Sequence, residues 1–144
     1  MQISSKFTIA VRTLAAIEYF KDMPRVNSDF LASSIGVNPV IVRGVISSLR
    51  TAGIVQTKRG SSGATITKDL NEITLYDIYK AVDSVEEEGL FHFHEQPNME
   101  CPVGRNIQTV MTPRLLAAQK AMEDELKKTT LDEIINDIRK NVQL

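Results

Sequence analysis

The sequence is poor in cysteine and in long apolar segments. Its single cysteine, Cys101, excludes an internal disulfide framework and provides too few thiolates for a cysteine-ligated zinc or iron–sulfur site within one chain. There is no run of about 18 apolar residues, the length of a membrane-spanning helix, and the N-terminal segment lacks the long apolar core of a signal peptide. We therefore expect a cytoplasmic protein with no membrane partner and no bound cofactor.

Motifs of the common enzyme classes are also missing. The sequence contains neither a glycine-rich phosphate loop nor an HExxH zinc motif. Cys101 with His92 or His94 is the one candidate set for nucleophilic catalysis, and the acidic run at 86–88 is typical of a solvated segment. An enzyme is therefore an alternative of another class, and the sequence favours a protein that is not an enzyme.

The charge of the chain is unevenly distributed along its length. With 144 residues and 42% hydrophobic composition, the chain can bury one core, so we expect one domain or one domain with a short appendage. The net charge is −1 overall, yet residues 1–68 carry nine basic and three acidic side chains, and residues 69–144 carry eight basic and fifteen acidic ones. The first half is thus strongly basic, which favours a polyanionic partner.

Residues 38–53, NPVIVRGVISSLRTAG, are the segment around which the chain is organised, and both ends of a helix are marked in it. Asn38 is a good N-cap, Pro39 fits the first helical position, and Gly53 suits a left-handed C-terminal cap. One face carries apolar residues at helical spacing, namely Val42, Val45, Ile46 and Leu49. The other face is small or cationic and consists of Val40, Arg43, Gly44, Ser47, Arg50 and Thr51. Two arginines on a face without an acid favour contact with a polyanion.

Two predicted helices precede this segment. The first covers residues 5–19, and the second covers residues 28–35 with Asn27 or Ser28 as its cap. Gly36 then allows a tight turn into the next helix. Two short helices joined by a glycine-containing turn predict a helix-turn-helix, whose second helix can enter a DNA major groove. Helix pairs of this kind also occur in proteins that do not bind DNA, so a protein-binding scaffold is an alternative.

A hairpin is predicted directly after the helix-turn-helix. Residues 54–58 and 64–67 form two strands, and RGSSG at 59–63 is a turn cluster. A hairpin in this place is the wing of a winged helix-turn-helix. Its tip carries basic and small polar side chains that suit a phosphate backbone or a minor groove, namely Lys58, Arg59, Ser61 and Ser62. Taken alone the segment is a plain polar turn, but its position beside the helix pair favours a DNA contact.

Two short helices are predicted in the second half of the chain. Thr74 caps the first, over residues 75–82, and Thr130 caps the last, over residues 131–138. Between them, residues 90–100 form a loop rich in His, Phe and Pro. The apolar stripe of the last helix, which we expect to be buried, consists of Leu131, Ile134, Ile135 and Ile138.

A long helical pattern begins at Pro102. Pro113 interrupts it and either kinks the helix or starts a new one after Thr112. Its apolar residues are Val103, Ile107, Val110, Met111, Leu115, Leu116, Ala118, Met122 and Leu126. So much apolar surface on a single helix exceeds what one small domain can cover, so the pattern predicts a homodimer built on this helix.

Together these elements predict a mainly α fold with a small β-hairpin. We expect a winged helix-turn-helix DNA-binding domain over residues 1–84, an effector or sensor loop over residues 85–101, and dimerisation helices over residues 102–144. The predicted function at this point is sequence-specific DNA binding by a homodimer.

The chain closely resembles a known family in several separate segments. ISSKFTIAVRTL, NPVIVRGVISSLRTAGIV, KRGSSGA, ITLYDIYKAVD and CPVGRNIQ are similar to the Rrf-two family, the IscR-, NsrR- and CymR-like bacterial transcription regulators. The resemblance covers residues 3 to about 138. It implies a dimeric winged-helix regulator, usually a repressor, that binds an imperfect palindrome in double-stranded DNA.

The resemblance also implies roles for individual residues. Ser5 and Lys6 at the first helix and Ser28 at the second would hold phosphates, while Arg43 and Ser47 would face the major groove. Arg59, Ser61 and Ser62 would lie in or near the minor groove. The complete set of expected DNA-binding residues is Ser5, Lys6, Ser28, Asn38, Val40, Arg43, Ser47, Lys58, Arg59, Ser61 and Ser62.

Many relatives carry three cysteines for an iron–sulfur cluster in the stretch that corresponds to residues 90–110, and this chain has only Cys101. The departure argues against cluster sensing. Cys101 directly precedes a helix start, where free N–H groups and the helix dipole favour a thiolate, so oxidation or electrophile modification of Cys101 could relieve DNA binding. Two alternatives stay open at this point: an inert buried thiol, and a metal or small ligand held near His92 and His94.

Overall fold

A computed structural model describes residues 5–23, 26–57, 63–82 and 98–142 of the chain. The described elements follow in the order α1 Lys6–Tyr19, α2 Ser28–Ile35, α3 Pro39–Thr51, β1 Val55–Thr57, β2 Ala64–Ile66, α4 Leu75–Val82, α5 Pro102–Leu126 and α6 Leu131–Val142. A single 3-10 turn, Leu70–Glu72, lies between β2 and α4. The predicted class, mainly α with a small β-hairpin, is confirmed.

The ends of α2 and α3 form where the local signals predicted them. Asn27 Oδ1 accepts a hydrogen bond from the Phe30 N–H at 2.8 Å, which caps α2, and Gly36 follows α2 with a φ of 75°. Asn38 Oδ1 accepts from the Val40 N–H at 2.8 Å and caps α3. Caps of this kind satisfy N–H groups that have no partner inside the helix, so each helix starts at a defined residue.

Helix α1 lies at the centre of the core. It packs against α2, α3, α4 and α6, and its residues Ala10 and Leu14 are fully buried. The predicted apolar stripe of α3 is also buried, since Val42, Val45, Ile46 and Leu49 are all at most 8% exposed. Thr13 is a buried polar residue, and its hydroxyl donates to the Ile9 carbonyl at 2.7 Å, so no donor is left unsatisfied there.

The hairpin is antiparallel and is fixed to the end of α3. Its register pairs Val55 with Ile66 and Thr57 with Ala64. The Thr67 N–H donates to the Ile54 carbonyl at 2.9 Å, which closes the hairpin beside the α3 terminus. Gly53 precedes it with a φ of 80°, the left-handed conformation expected at this turn. The predicted wing tip, residues 58–62, lies outside the described residues.

Helix α5 is continuous. It runs through Pro113 without a break, so the alternative that a new helix starts after Thr112 is wrong. Pro113 lacks the N–H that a helix interior normally provides. Two side chains add donors around it: Thr112 Oγ1 donates to the Gln108 carbonyl at 2.7 Å, and Arg114 Nη1 donates to the Val110 carbonyl at 2.8 Å.

The last helix returns to the core. The Leu131 N–H donates to the Ile73 carbonyl at 2.7 Å, and Leu131 and Ile135 are 0% and 1% exposed. α6 extends to Val142, beyond the predicted end at residue 138. Two residues of the predicted stripe differ from the prediction: Ile134 is only half-buried, and Ile138 is 37% exposed. The buried face of α6 therefore packs within this chain. The predicted domain boundaries after residues 84 and 101 stay a prediction.

Within the described residues, no single helix is long and apolar enough to cross a membrane; only α2 and α3 taken together, with a bend of 111° between them, reach that length and composition.

Because α6 is part of the core, we expect Ile135→Ala to lower the free energy of unfolding by about 2 to 5 kcal/mol, the usual range for removing a buried large aliphatic side chain. Urea unfolding followed by circular dichroism measures this. Ile138→Ala, one turn further along the same helix, is the matched control and should cost about 1 kcal/mol or less. Equal losses in the two variants would show that α6 is not docked as described.

Candidate nucleic-acid interface

The outer face of α3 is exposed along its whole length. All six residues predicted on this face are exposed, namely Val40, Arg43, Gly44, Ser47, Arg50 and Thr51. Because the opposite stripe is packed into the core, the rotation of α3 about its own axis is fixed. The face that carries two arginines and no acid is thus held toward the outside of the molecule.

A groove of about 390 Å³ runs beside this face, between the start of α2, α3 and the hairpin. Three predicted DNA-binding residues line it together: Ser28 from α2, and Arg43 and Ser47 from α3. The structure therefore brings these three side chains to one place, although Ser28 precedes Arg43 by fifteen positions. Thr57 and Ala64, from opposite strands of the hairpin, line the same groove.

Arg50 has a structural contact that the sequence did not reveal. Its Nη1 donates to the Thr57 Oγ1 at 3.3 Å, and both residues line the groove. This bond joins the last turn of α3 to β1, so Arg50 helps to set the position of the hairpin relative to α3. No sequence pattern could have shown it, because the pairing depends on how the hairpin folds back.

One acid also lies in the groove. Asp29, the second residue of α2, lines it with Ser28 and Arg43 and is exposed. The acid-free face of α3 is thus bordered by a single carboxylate that comes from the preceding helix. The sequence did not place Asp29 here, because Asp29 and Arg43 come from different helices that meet only in the folded chain. A carboxylate here can accept a hydrogen bond from a base amino group and repels a phosphate.

The remaining predicted residues lie elsewhere. Ser5 and Lys6 are exposed at the start of α1 and do not line the groove, and Ser5 makes no side-chain cap bond to α1. The side-chain oxygen of Asn38 already accepts a hydrogen bond from the Val40 N–H of α3. The wing-tip residues Lys58, Arg59, Ser61 and Ser62 lie outside the described residues.

Cys101 occupies the N-cap position of α5 and does not line this groove. It is half-buried, its N–H donates to the Asn98 carbonyl at 3.2 Å, and its carbonyl accepts from the Arg105 N–H at 2.9 Å. Sγ forms no full cap hydrogen bond, yet its interaction with the N–H groups of Gly104 and then Val103 lowers the pKa of the Cys101 thiol below its ordinary value.

The turn before α5 is tightly built. Asn98 Oδ1 accepts from the Glu100 N–H at 3.1 Å, and a Cβ added at Gly104 would collide with the Asn98 carbonyl. A glycine is thus required at position 104 if this turn is to fold against the first turn of α5. His92 and His94, the predicted candidates for a metal or small-ligand site, lie outside the described residues.

Comparisons with known proteins agree with this architecture. The chain is 37% identical over 134 residues to YwnA of Bacillus subtilis, provisionally named an HTH-type transcriptional regulator, which covers 93% of this chain and 97% of YwnA. A crystal structure of a provisionally assigned DNA-binding protein is 32% identical, with a TM-score of 0.74 over 91% of this chain and 99% of that one.

Two further solved structures share the fold at lower identity. T. potens IscR is 20% identical, with a TM-score of 0.67 over 96% of this chain and 88% of IscR. CymR of B. subtilis, the global cysteine regulator, is 17% identical, with a TM-score of 0.66 over 94% of this chain and 97% of CymR. At these identities the likeness supports the fold alone.

The Rrf2 family model, described as iron-dependent transcriptional regulator, matches residues 3–137. The donor set of this chain does not fit a cysteine-ligated iron centre, because the sequence has one cysteine and the described residues contain no group of three or more metal-ligating side chains. The relatives are transcription regulators and not enzymes. The chain belongs to the Rrf2 family of transcriptional regulators.

Proposed function

We propose that this chain is a homodimeric repressor that binds a palindromic operator through α3 and the groove beside it. The observation that carries the proposal is the convergence of Ser28, Arg43 and Ser47 in one exposed groove. The Ser28 hydroxyl lies at the N-terminal end of α2, where unpaired N–H groups and the helix dipole favour a phosphate. Arg43 and Ser47 lie on α3, the helix that reads bases in a helix-turn-helix.

The surrounding charges suit DNA. Arg43 can donate two hydrogen bonds to the O6 and N7 atoms of guanine, and Asp29 at the border of the groove can accept from a cytosine amino group. Ser5 and Lys6 at the start of α1 are proposed to hold phosphates. On the wing tip, Lys58, Arg59, Ser61 and Ser62 are proposed to reach the backbone or the minor groove.

A second copy is proposed to cover α5. No residue of this 25-residue helix is buried. Val103, Ile107 and Val110 recur at i, i+4 and i+7 on one face and are 68%, 45% and 49% exposed. A helix derives most of its stability from packing of its apolar face, so a partner helix is needed here. Pairing two copies through α5 would present two α3 helices to successive turns of a palindrome.

Repression follows from occupancy of the operator, and Cys101 is proposed as the residue that relieves it. The Cys101 thiolate would attack a peroxide oxygen, so that an S–O bond forms, the O–O bond breaks, the sulfur is oxidised by two electrons and hydroxide leaves. The lowered pKa favours the thiolate that this step needs. Because Cys101 caps the proposed dimer helix, its oxidation would alter the separation of the two α3 helices.

The first test is operator binding. Arg43→Ala should weaken binding to DNA from upstream of the protein's own gene by about 5- to 150-fold and should relax base preference, because the bidentate contact to one base is lost. A gel-shift titration over a series of salt concentrations measures both affinity and salt slope.

Lys140→Gln, which removes an exposed cation from α6, is the control and should leave the affinity unchanged. A wild-type protein whose affinity for this DNA equals that for unrelated DNA at every salt concentration would contradict the proposed operator. A reporter joined to the same promoter should become more active when the gene is deleted; reduced activity would contradict repression.

The second test is oligomeric state. Light scattering after gel filtration should give the wild type about twice the 16.1 kDa chain mass, and Ile107→Glu should give the chain mass itself, because a buried unpaired carboxylate is too costly at an apolar contact. Thr109→Glu adds the same charge on another face of α5 and should remain dimeric. A monomeric wild type would contradict the proposed role of α5.

The third test is the response to oxidants. Operator affinity of the wild type should fall after peroxide, hypochlorite or quinone treatment, and Cys101→Ser should be unaffected. Since the folded-state pKa of Cys101 is lowered, the thiolate persists to lower pH than in the unfolded chain, and the reaction should slow only as the pH falls through that lowered value.

Iodoacetamide alkylation of the native and the urea-unfolded protein provides the pH profile. The midpoint of the native profile should lie at lower pH. Equal loss of operator affinity in the wild type and in Cys101→Ser would rule out the thiol as the sensor.

A further inference from the structure

An exposed apolar side chain stands at the start of the outer face of α3. Val40 is 64% exposed and shares the outer face of α3 with Arg43 and Ser47, which follow it along the helix. Its backbone is held in place, since the Val40 N–H donates to Asn38 Oδ1 at 2.8 Å. An apolar group in this fixed, exposed position gains free energy if a partner removes it from water.

Gly44 lies one turn further along the same face. A Cβ added there would meet nothing within 4 Å, and α3 holds it in ordinary helical geometry. A glycine inside a helix makes the helix less stable than an alanine would, and nothing in the described part of the chain requires a residue without a side chain at position 44. The space beside Gly44 is therefore open to a group from outside the chain.

We infer that Val40 and Gly44 form a seat for the 5-methyl group of a thymine in the operator. The inference rests on the proposed function, in which this face of α3 enters the major groove. The thymine methyl is the apolar group that base edges present there. Residues at i and i+4 are neighbours on a helix surface, so the Val40 side chain borders the space that Gly44 leaves open.

The same geometry predicts where that thymine lies. Val40 and Arg43 are three residues apart on one helix, which places their Cβ atoms about 5 to 6 Å from each other. Successive base pairs are separated by about 3.4 Å along the duplex. The thymine should therefore lie within about two base pairs of the guanine that Arg43 reads, once in each half-site.

The test replaces each thymine of the bound operator in turn with deoxyuridine, which removes the methyl group and keeps base pairing. Fluorescence anisotropy titration should show one thymine per half-site at which the wild type loses about fourfold in affinity, and roughly 15-fold when both half-sites are changed. Val40→Ala should bind the unmodified operator more weakly and should show no such loss at that position.

Gly44→Ala provides a second measurement, in which the stability of the protein should rise while its affinity for the operator falls. It should raise the melting temperature of the free protein, because alanine is the better helix former. It should also weaken operator binding by about 5- to 150-fold, because the added methyl group would crowd the bound base. A raised melting temperature also shows that the weaker binding is not caused by unfolding.

Ile41→Ala is the matched control. Ile41 is 44% exposed and branched like Val40, but it is rotated by about 100° around the helix axis, so its loss should leave the deoxyuridine effect unchanged. Wild-type affinity that is the same for thymine and deoxyuridine at every position would overturn the inference, as would a persistent effect in Val40→Ala. With either result, salt-dependent operator binding by the wild type would still support the proposed function. A wild type that does not bind the operator would refute both the proposed function and the thymine seat.

Discussion

The burial of one stripe of α3 is the constraint on which the rest of the structure depends. Val42 and Leu49 are fully enclosed, and Val45 and Ile46 close the stripe between them. A helix of this length that buries one side cannot rotate without exposing that side, so its other side is directed outward. The outward position of Arg43 and Ser47 is thus decided by the residues that α3 buries in the core. Core packing and the proposed DNA reading are two consequences of one pattern.

The C-terminal helices use their apolar residues in different ways. α6 buries Leu131 and Ile135 against the core, and the hydrogen bond from the Leu131 N–H to the Ile73 carbonyl holds its first residue in place. α5 buries none of its residues within the chain, although it is about twice as long. Because α1 already packs against four other helices and no residue of α5 is buried, we propose that a second copy covers α5.

Much of the fold was predictable because its signals are local. Asn27, Gly36 and Asn38 act through bonds to residues at most four positions away, so their roles could be derived from the sequence. The missed features depend on segments that meet only after folding, such as the Arg50 bond to Thr57 and the entry of Asp29 into the groove. Ile138 fits the helical period of α6, but the core ends before it, and periodicity alone does not show where a core ends.

The glycines separate what folding requires from what function requires. Gly36 and Gly53 have positive φ, and Gly104 has a backbone carbonyl where a Cβ would be, so each is explained within the chain. Gly44 has neither feature and lies in the interior of a helix, where it costs stability. The proposed thymine seat gives this glycine a role, because the methyl group would occupy the space that a side chain at position 44 would fill. Gly44 lies next to Val40 on the outward face of α3, where the operator is proposed to bind.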